Sequence, residues 1–318
     1  MERILIIGAN GQIGSELVTA LAEQHGKEHV IASDIGANNV YGAARYIQLD
    51  VLDKDRLAQL IDEEAITQVY QLAALLSATG EKAPLKAWTL NMDGLLNILQ
   101  VARERGEQGK PLKIFWPSSI AAFGPNTPAD PAPQYAVMDP TSIYGISKLA
   151  GERLCEYYHS KYGVDVRSIR YPGIISFKSP PGGGTTDYAI AIFHSALKGE
   201  TYECFLGPET TLPMIYMPDA IRATIELMEA PAEKVAIRSS YNVAGVSFNP
   251  RELAAAIKQA VPAFEIAYKP DSRQAIADTW PKSLDDSRAT SDWGWQARVR
   301  LDEMVADMLK NIDVGVAA

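Results

Sequence analysis

Apolar residues fall in short unbroken runs and then at helical spacing, and the two patterns alternate through the first half of the chain. Ile4-Leu-Ile-Ile7 runs into a glycine turn, after which Ile13, Leu17, Val18 and Leu21 recur on one helix face. His29 to Asp34 forms a second strand. Tyr46 to Leu49 forms a third, followed by a helix capped by Asp53 with Leu57, Leu60 and Ile61 on one face. Val69 to Ala74 precedes a long helix, Leu85 to Arg105, in which Leu95, Leu96, Leu99 and Val101 are apolar. Lys113 to Ser119 and Val164 to Arg170 complete six strands, with a helix through Leu149, Cys155 and Tyr158 between them. Apolar strands alternating with amphipathic helices predict an α/β fold of Rossmann type, a doubly wound parallel sheet.

From about Gly173 the alternation stops. Loops rich in Pro and Gly, such as Ser179-Pro-Pro-Gly-Gly-Gly184, separate short elements: helices from Pro218-Asp219 and Asn249-Pro250, a strand at Tyr241 to Val243, and a helix stop at Trp293-Gly-Trp295. The expected division is a dinucleotide-binding domain over 1–172 and a smaller C-terminal lobe over 173–318 that sends segments back to the sheet.

Composition mainly excludes. The 318 residues, 47% hydrophobic and 22% charged, describe an ordinary globular chain, and a net charge of -9 argues against nucleic-acid binding. Two cysteines, Cys155 and Cys204, outside any C-x-x-C, leave no disulfide framework and fit a cytoplasmic setting. The four histidines lack metal-ligand spacing, so no metal is expected. No apolar run reaches membrane-span length, and a first strand starting at Arg3 leaves no room for a signal peptide. Only Asp313 to Ala318 reads as disordered.

Two stretches carry chemistry. The first is Gly8-Ala-Asn10-Gly11-Gln12-Ile13-Gly14, between a strand and a helix. Gly8 allows the tight turn, Gly11 lets backbone approach a pyrophosphate, and Gly14 lets the helix pack closely; the first helical amides point at the phosphates. Asp34 ends the second strand where the ribose-binding acid belongs, an acceptor that repels a 2'-phosphate, so NAD is preferred over NADP; alternatively it caps the following loop. Small residues at the end of the fourth strand, Leu72-Ala73-Ala74, let the cofactor lie close above the sheet. The second stretch is Tyr144-Gly-Ile-Ser-Lys148, one turn apart on a helix. A nearby ammonium is expected to lower the phenol pKa. The preceding strand ends in Ser118 and Ser119, two hydroxyls at the edge where parallel sheets bind ligands. Asn91, a poor helix former inside the long helix, is either a brace to a neighbouring strand or a surface residue.

These motifs resemble the extended branch of the short-chain dehydrogenase/reductase superfamily. The resemblance implies Tyr144 as general base, Ser119 on the reacting oxygen, and Lys148 both tuning the tyrosine and holding the nicotinamide ribose. It also implies Asp50-Val51 beside the adenine, Asn91 bracing the site and Tyr171 near the cofactor. Ile120-Ala-Ala122, where a dehydratase would carry acids, argues against elimination. Leu75-Leu-Ser77, Arg170-Tyr-Pro-Gly-Ile-Ile175, Gly182-Gly-Gly-Thr-Thr-Asp-Tyr188 and Trp280-Pro-Lys-Ser-Leu-Asp285 are similar to the short-chain-type L-threonine 3-dehydrogenases. That family implies L-threonine as the small-molecule substrate, a homodimer through helices near 85–106 and 143–162, and substrate contacts from Ser77, Gly184, Thr185 and Thr186, with Trp280 over the methyl group. The 182–186 segment is alternatively a plain surface loop, and Trp280 plain core packing. A nucleotide-sugar 4-epimerase and a non-catalytic NAD-binding protein stand as the rival readings.

Overall fold

In the computed structural model, which describes residues 2–38, 45–182 and 184–313, the chain opens with β1 (Ile4–Ile7), α1 (Gln12–His25), β2 (Val30–Asp34), β3 (Arg45–Gln48), α2 (Lys54–Glu63) and β4 (Gln68–Gln71). There follow α3 (Ser77–Lys82), α4 (Pro84–Trp88), a π turn (Thr89–Asp93), α5 (Gly94–Glu107), β5 (Lys113–Ser119), α6 (Ile143–Tyr162) and β6 (Asp165–Tyr171). The remainder holds β7 (Gly173–Ile175), α7 (Tyr188–Lys198), β8 (Tyr202–Cys204), β9 (Leu212–Tyr216), α8 (Met217–Glu229) and β10 (Tyr241–Asn242). Last come β11 (Val246–Phe248), α9 (Pro250–Ala260), β12 (Ile266–Tyr268), α10 (Ser272–Ala277), α11 (Ser287–Trp293) and α12 (Leu301–Asn311). The tail beyond Asp313, read from the sequence as disordered, lies outside the described residues, as does Gly183 of the glycine-rich loop.

The central sheet has seven strands in the order β3-β2-β1-β4-β5-β6-β10. Pairings are parallel, with Ile4 opposite both Val30 and Gln68, and Gln68 opposite Lys113. All four residues of β1 are buried, as a strand covered on both faces requires. This is the α/β Rossmann-type sheet, and its strand order reverses between β1 and β4, where such sheets bind ligands.

Packing divides the chain into two compact units. The first holds residues through Ser119, Ile143–Arg170 and Ile221–Tyr241; the second holds Ile120–Ser142, Tyr171–Ala220 and the chain from Asn242 on. Against a division after residue 172 with segments sent back to the sheet, Ile120–Ser142 lies in the second unit and Ile221–Tyr241 in the first. The return is anchored electrostatically, because the Arg167 guanidinium on β6 donates to the Leu227, Met228 and Ala230 carbonyls at 2.7, 3.0 and 2.6 Å, satisfying the open C-terminal end of α8. In the second unit, β11-β9-β7 forms a separate sheet, and Tyr188, Phe193, Phe248, Leu253 and Met304 form its core. Helix α9 starts with the anticipated cap: Asn249 and Glu252 bond each other's backbone amides reciprocally at 2.9 Å.

Two expectations from the sequence change. The fourth strand stops at Gln71 instead of Ala74, although the Leu72 amide still donates to the Ile7 carbonyl at 2.9 Å. The long helix runs unbroken over 84–107 but widens to a π turn at Thr89–Asp93, between α4 and α5. The wider turn lets the buried Asn91 amide turn inward, toward the Leu75 backbone.

Helix α6 lies close on β5 because Gly151 has no side chain; a Cβ there would run into the Trp116 indole. Gly151→Ala should therefore lower stability by about 1–3 kcal/mol through overpacking, although alanine is the better helix former. Urea denaturation measures this, and a neutral or raised midpoint would contradict the packing.

Candidate active site

The glycine turn has the geometry its spacing implies. Gly8 takes φ 85°, a left-handed conformation suited to glycine, and a Cβ there would contact the backbone of Leu72 and Ala73. A Cβ on Gly14 would strike the Gly8 carbonyl. Helix α1 starts at Gly11 with no capping side chain, so the amides of Gln12, Ile13 and Gly14 lack an intrahelical acceptor and face outward at the positive end of the dipole. Asp34 ends β2, and its Oδ2 accepts from the Asn10 amide at 3.0 Å. That bond ties the acid to the loop. The exposed Asp50 and the buried Val51 follow β3, and Val51 contacts the start of α5 at Gly94.

The second cluster is built where β5 and α6 meet. Ser119 is the last residue of β5, and its hydroxyl hydrogen-bonds Tyr144 in the first turn of α6. One turn on, the buried Lys148 donates from Nζ to the Pro117 carbonyl at 2.6 Å. Its ammonium lies 4.6 Å from the Trp116 ring centroid and 5.4 Å from that of Tyr144. The two candidate serines separate cleanly. Ser118 is buried and donates to Glu152 Oε1 at 2.7 Å, so its hydroxyl is committed, while Ser119 is the one that meets Tyr144.

The electrostatics correct one expectation. Lys148 does not hold Tyr144 below its ordinary range. Burial pushes the phenol up to about 12, opposed by the Ser119 hydrogen bond, and burial likewise pushes the Lys148 amine down to about 7, opposed by its neighbours Cys155 and Glu152. The reason is desolvation: two partly or fully buried groups each favour their neutral forms.

Asn91 is a brace. Its Oδ1 accepts from the Leu75 amide at 2.8 Å, and its Nδ2 donates to the Leu75 carbonyl at 3.1 Å and to Ser147 Oγ at 3.2 Å. It thereby joins the segment after β4 to α6. Ser77 is buried at the start of α3, and Leu72, Ala73 and Ala74 are half-buried beyond β4. Within the second unit, Thr185 is buried, Thr186 packs where a side chain on Gly173 would stand, and the Gly184 amide donates to Asp187 Oδ2 at 2.8 Å. Trp280 packs against two apolar clusters of that unit. Tyr171 is buried at the end of β6. Glu152 and Arg170 carry no role in the sequence reading, yet they form a buried bidentate ion pair at 2.8 Å through both carboxylate oxygens. The available signal was position: Glu152 continues the Tyr144, Lys148 face by one more turn, toward the sheet. Among the described residues no cluster of metal-ligating side chains occurs, and no helix is long and apolar enough to cross a membrane.

Residues 4–244 match the NAD dependent epimerase/dehydratase family. The mitochondrial L-threonine 3-dehydrogenase of Bos taurus is 46% identical over 97% of this chain and 82% of its own length. Among solved structures, the GalE-like L-threonine dehydrogenase from Cupriavidus necator in its holo form is 60% identical with a TM-score of 0.95, covering 98% of this chain and 100% of that one. A monomeric L-threonine 3-dehydrogenase from a metagenome is 45% identical with a TM-score of 0.92, covering 97% and 98%.

The buried Lys148 makes a prediction about stability. A lysine near pKa 7 in the fold and 10.4 when unfolded disfavours folding fully below pH 7, and the penalty fades as pH rises toward 10. Lys148→Met removes that penalty but leaves the Pro117 carbonyl unpaired. The variant should be more stable than the parent at pH 6 to 7, by about 1–3 kcal/mol, and no more stable near pH 10. Thermal denaturation across pH reads both, and a pH-independent difference would contradict the assignment.

Proposed function

The chain belongs to the NAD dependent epimerase/dehydratase family and is an NAD-dependent dehydrogenase, and on that premise we propose that it oxidises L-threonine at the 3-hydroxyl to 2-amino-3-oxobutyrate. The observation that carries the chemistry is the hydrogen bond between Ser119 and Tyr144, with Lys148 one turn away. Tyr144 accepts the hydroxyl proton as the carbon–oxygen double bond forms, and Ser119 holds the same oxygen. When protonated, Lys148 offsets part of the burial that raises the Tyr144 phenol, and it contributes a donor to the nicotinamide ribose. NAD, when bound, supplies the hydride acceptor.

For the cofactor, Gln12, Ile13 and Gly14 present amides suited to a diphosphate, with Gly8, Asn10 and Gly11 shaping the turn around it. Asp34 faces the adenosine ribose, Asp50 and Val51 the adenine, and Leu72 to Ala74 the ring system, with Asn91 holding that segment and Tyr171 nearby. Substrate contacts at Ser77, Gly184, Thr185, Thr186 and Trp280 rest on the family resemblance; substitutions there should act mainly on KM. Buried, unpaired Cys155 and Cys204 suit a reducing compartment such as the cytoplasm.

NADH formation from purified protein, NAD and L-threonine tests the reading. Tyr144→Phe should lower kcat at least about 100-fold with NAD binding retained, and NADP should be a poor replacement. Isomerisation of a UDP-hexose without net NADH, and no reduction with threonine, would replace the proposal with the epimerase reading.

We further propose a homodimer through α4 and α6. Leu85 is 84% exposed, and Trp88, Ile146 and Tyr157 are 39%, 42% and 45% exposed, an apolar stripe on the first unit. Ile146→Glu with Leu85→Asp should convert a dimer to a monomer in size-exclusion chromatography with light scattering. A parent chain that is already monomeric would instead place it with the metagenomic relative.

A further inference from the structure

Helix α6 and strand β5 meet as a matched series. Tyr144, Lys148 and Glu152 stand at i, i+4 and i+8, one below another on a single face. They engage three consecutive residues of β5: Tyr144 meets Ser119, Lys148 donates to the Pro117 carbonyl, and Glu152 accepts from Ser118. Neighbouring strand β6 closes the series, because Arg170 Nε and Nη2 each donate to Glu152 at 2.8 Å. Glu152 is completely buried, as are the Arg170 and Ser118 side chains to within a few percent. Such a carboxylate exerts its field through low-dielectric surroundings.

We propose that Glu152, clamped by Arg170 and Ser118, is the positioning residue of the active site: it sets the height of α6 against β5 and supplies a negative charge that favours the ammonium form of Lys148. The inference rests on the reading of Tyr144 and Lys148 as the acid–base pair. Its first part follows from geometry. A charged carboxylate bonded by two strands at once tolerates no sliding of the helix, and a slip of one residue would withdraw Tyr144 from Ser119. Its second part follows from the groups that face Lys148. On α6 these are the Tyr144 phenol, Glu152 and the Cys155 thiol, which burial keeps protonated. On β5 they are the Trp116 ring and the Pro117 carbonyl, and on β6 the Arg170 charge already spent on Glu152. Arg153 lies 3.9 Å from the outer Glu152 oxygen but is largely solvated. Glu152 is thus the single anion in the set, and its charge opposes the desolvation that drives Lys148 down.

Titration of isotope-labelled lysine ε-carbons by NMR, with the Lys148 resonance assigned by its loss in Lys148→Met, reads the proposed effect without turnover. Glu152→Gln should move the Lys148 midpoint down by about one pH unit or more, since a neighbouring carboxylate commonly shifts a pKa by that much. Arg170 loses its carboxylate partner in that variant, which threatens folding, so Glu152→Gln combined with Arg170→Met serves as the second protein. Its Lys148 midpoint should also fall, by less. In threonine oxidation both variants should show the activity rise displaced to higher pH, with kcat reduced more than about tenfold and KM changed far less. A folded double variant whose Lys148 midpoint and pH profile match the parent would overturn the proposal and leave Glu152 a packing residue. An active Tyr144→Phe, by contrast, would overturn the acid–base reading beneath it.

Discussion

A fully buried ion pair holds together the part of this molecule on which the rest depends. Glu152 and Arg170 join α6 to β6, the strand that follows it in the chain, and Ser118 adds β5, the neighbouring strand of the sheet. Breaking such a pair typically costs about 3–5 kcal/mol, because the surviving charge is left without water or partner. Apolar residues of the same volume would give equal or greater stability. What they would not give is register: dispersion contacts tolerate a helix sliding by a fraction of a turn, whereas a carboxylate with bonds from two strands has one seat.

Tyr144 and Lys148 lose solvation through that placement. Tyr144 is pushed up to about 12 and Lys148 down to about 7 by the same desolvation. Both departures disfavour the charged forms of the two groups. Function and stability therefore pull in opposite directions at Lys148, as they commonly do where a charge is held in a dry site. The hydrogen bonds to Pro117 and from Ser119 offset part of the cost and define where each group points.

Close approach is the second recurring constraint. Gly8 and Gly14 clear the turn between β1 and α1, and Gly151 clears the path of α6 over Trp116. In each case what is needed is the absence of a side chain, so that backbone or an indole can occupy the space. At the other end of the sheet the constraint is polar, with Arg167 satisfying the carbonyls that end α8 and so returning residues 221–241 to the first unit.

The sequence by itself determined the parallel alternation of strands and helices, the glycine turn after β1, the acid that ends β2, the tyrosine–lysine spacing and the cap of α9. All of these are local: periodicity, turn chemistry and residues within one or two helical turns suffice to state them. Tertiary structure alone decided matters that join distant segments. The π turn at Asn91 follows from bonds to Leu75 and Ser147, far away in the chain. Ser119 is distinguished from Ser118 by Glu152, which takes the Ser118 hydroxyl. The direction of the Tyr144 and Lys148 shifts depends on burial, which residue spacing does not report; spacing alone suggested the opposite sign for the phenol. The return of residues 221–241 to the first unit likewise needs Arg167 and the end of α8 in contact. Short-range order is written in neighbouring residues, whereas desolvation and long-range hydrogen bonds exist only once the chain has closed on itself.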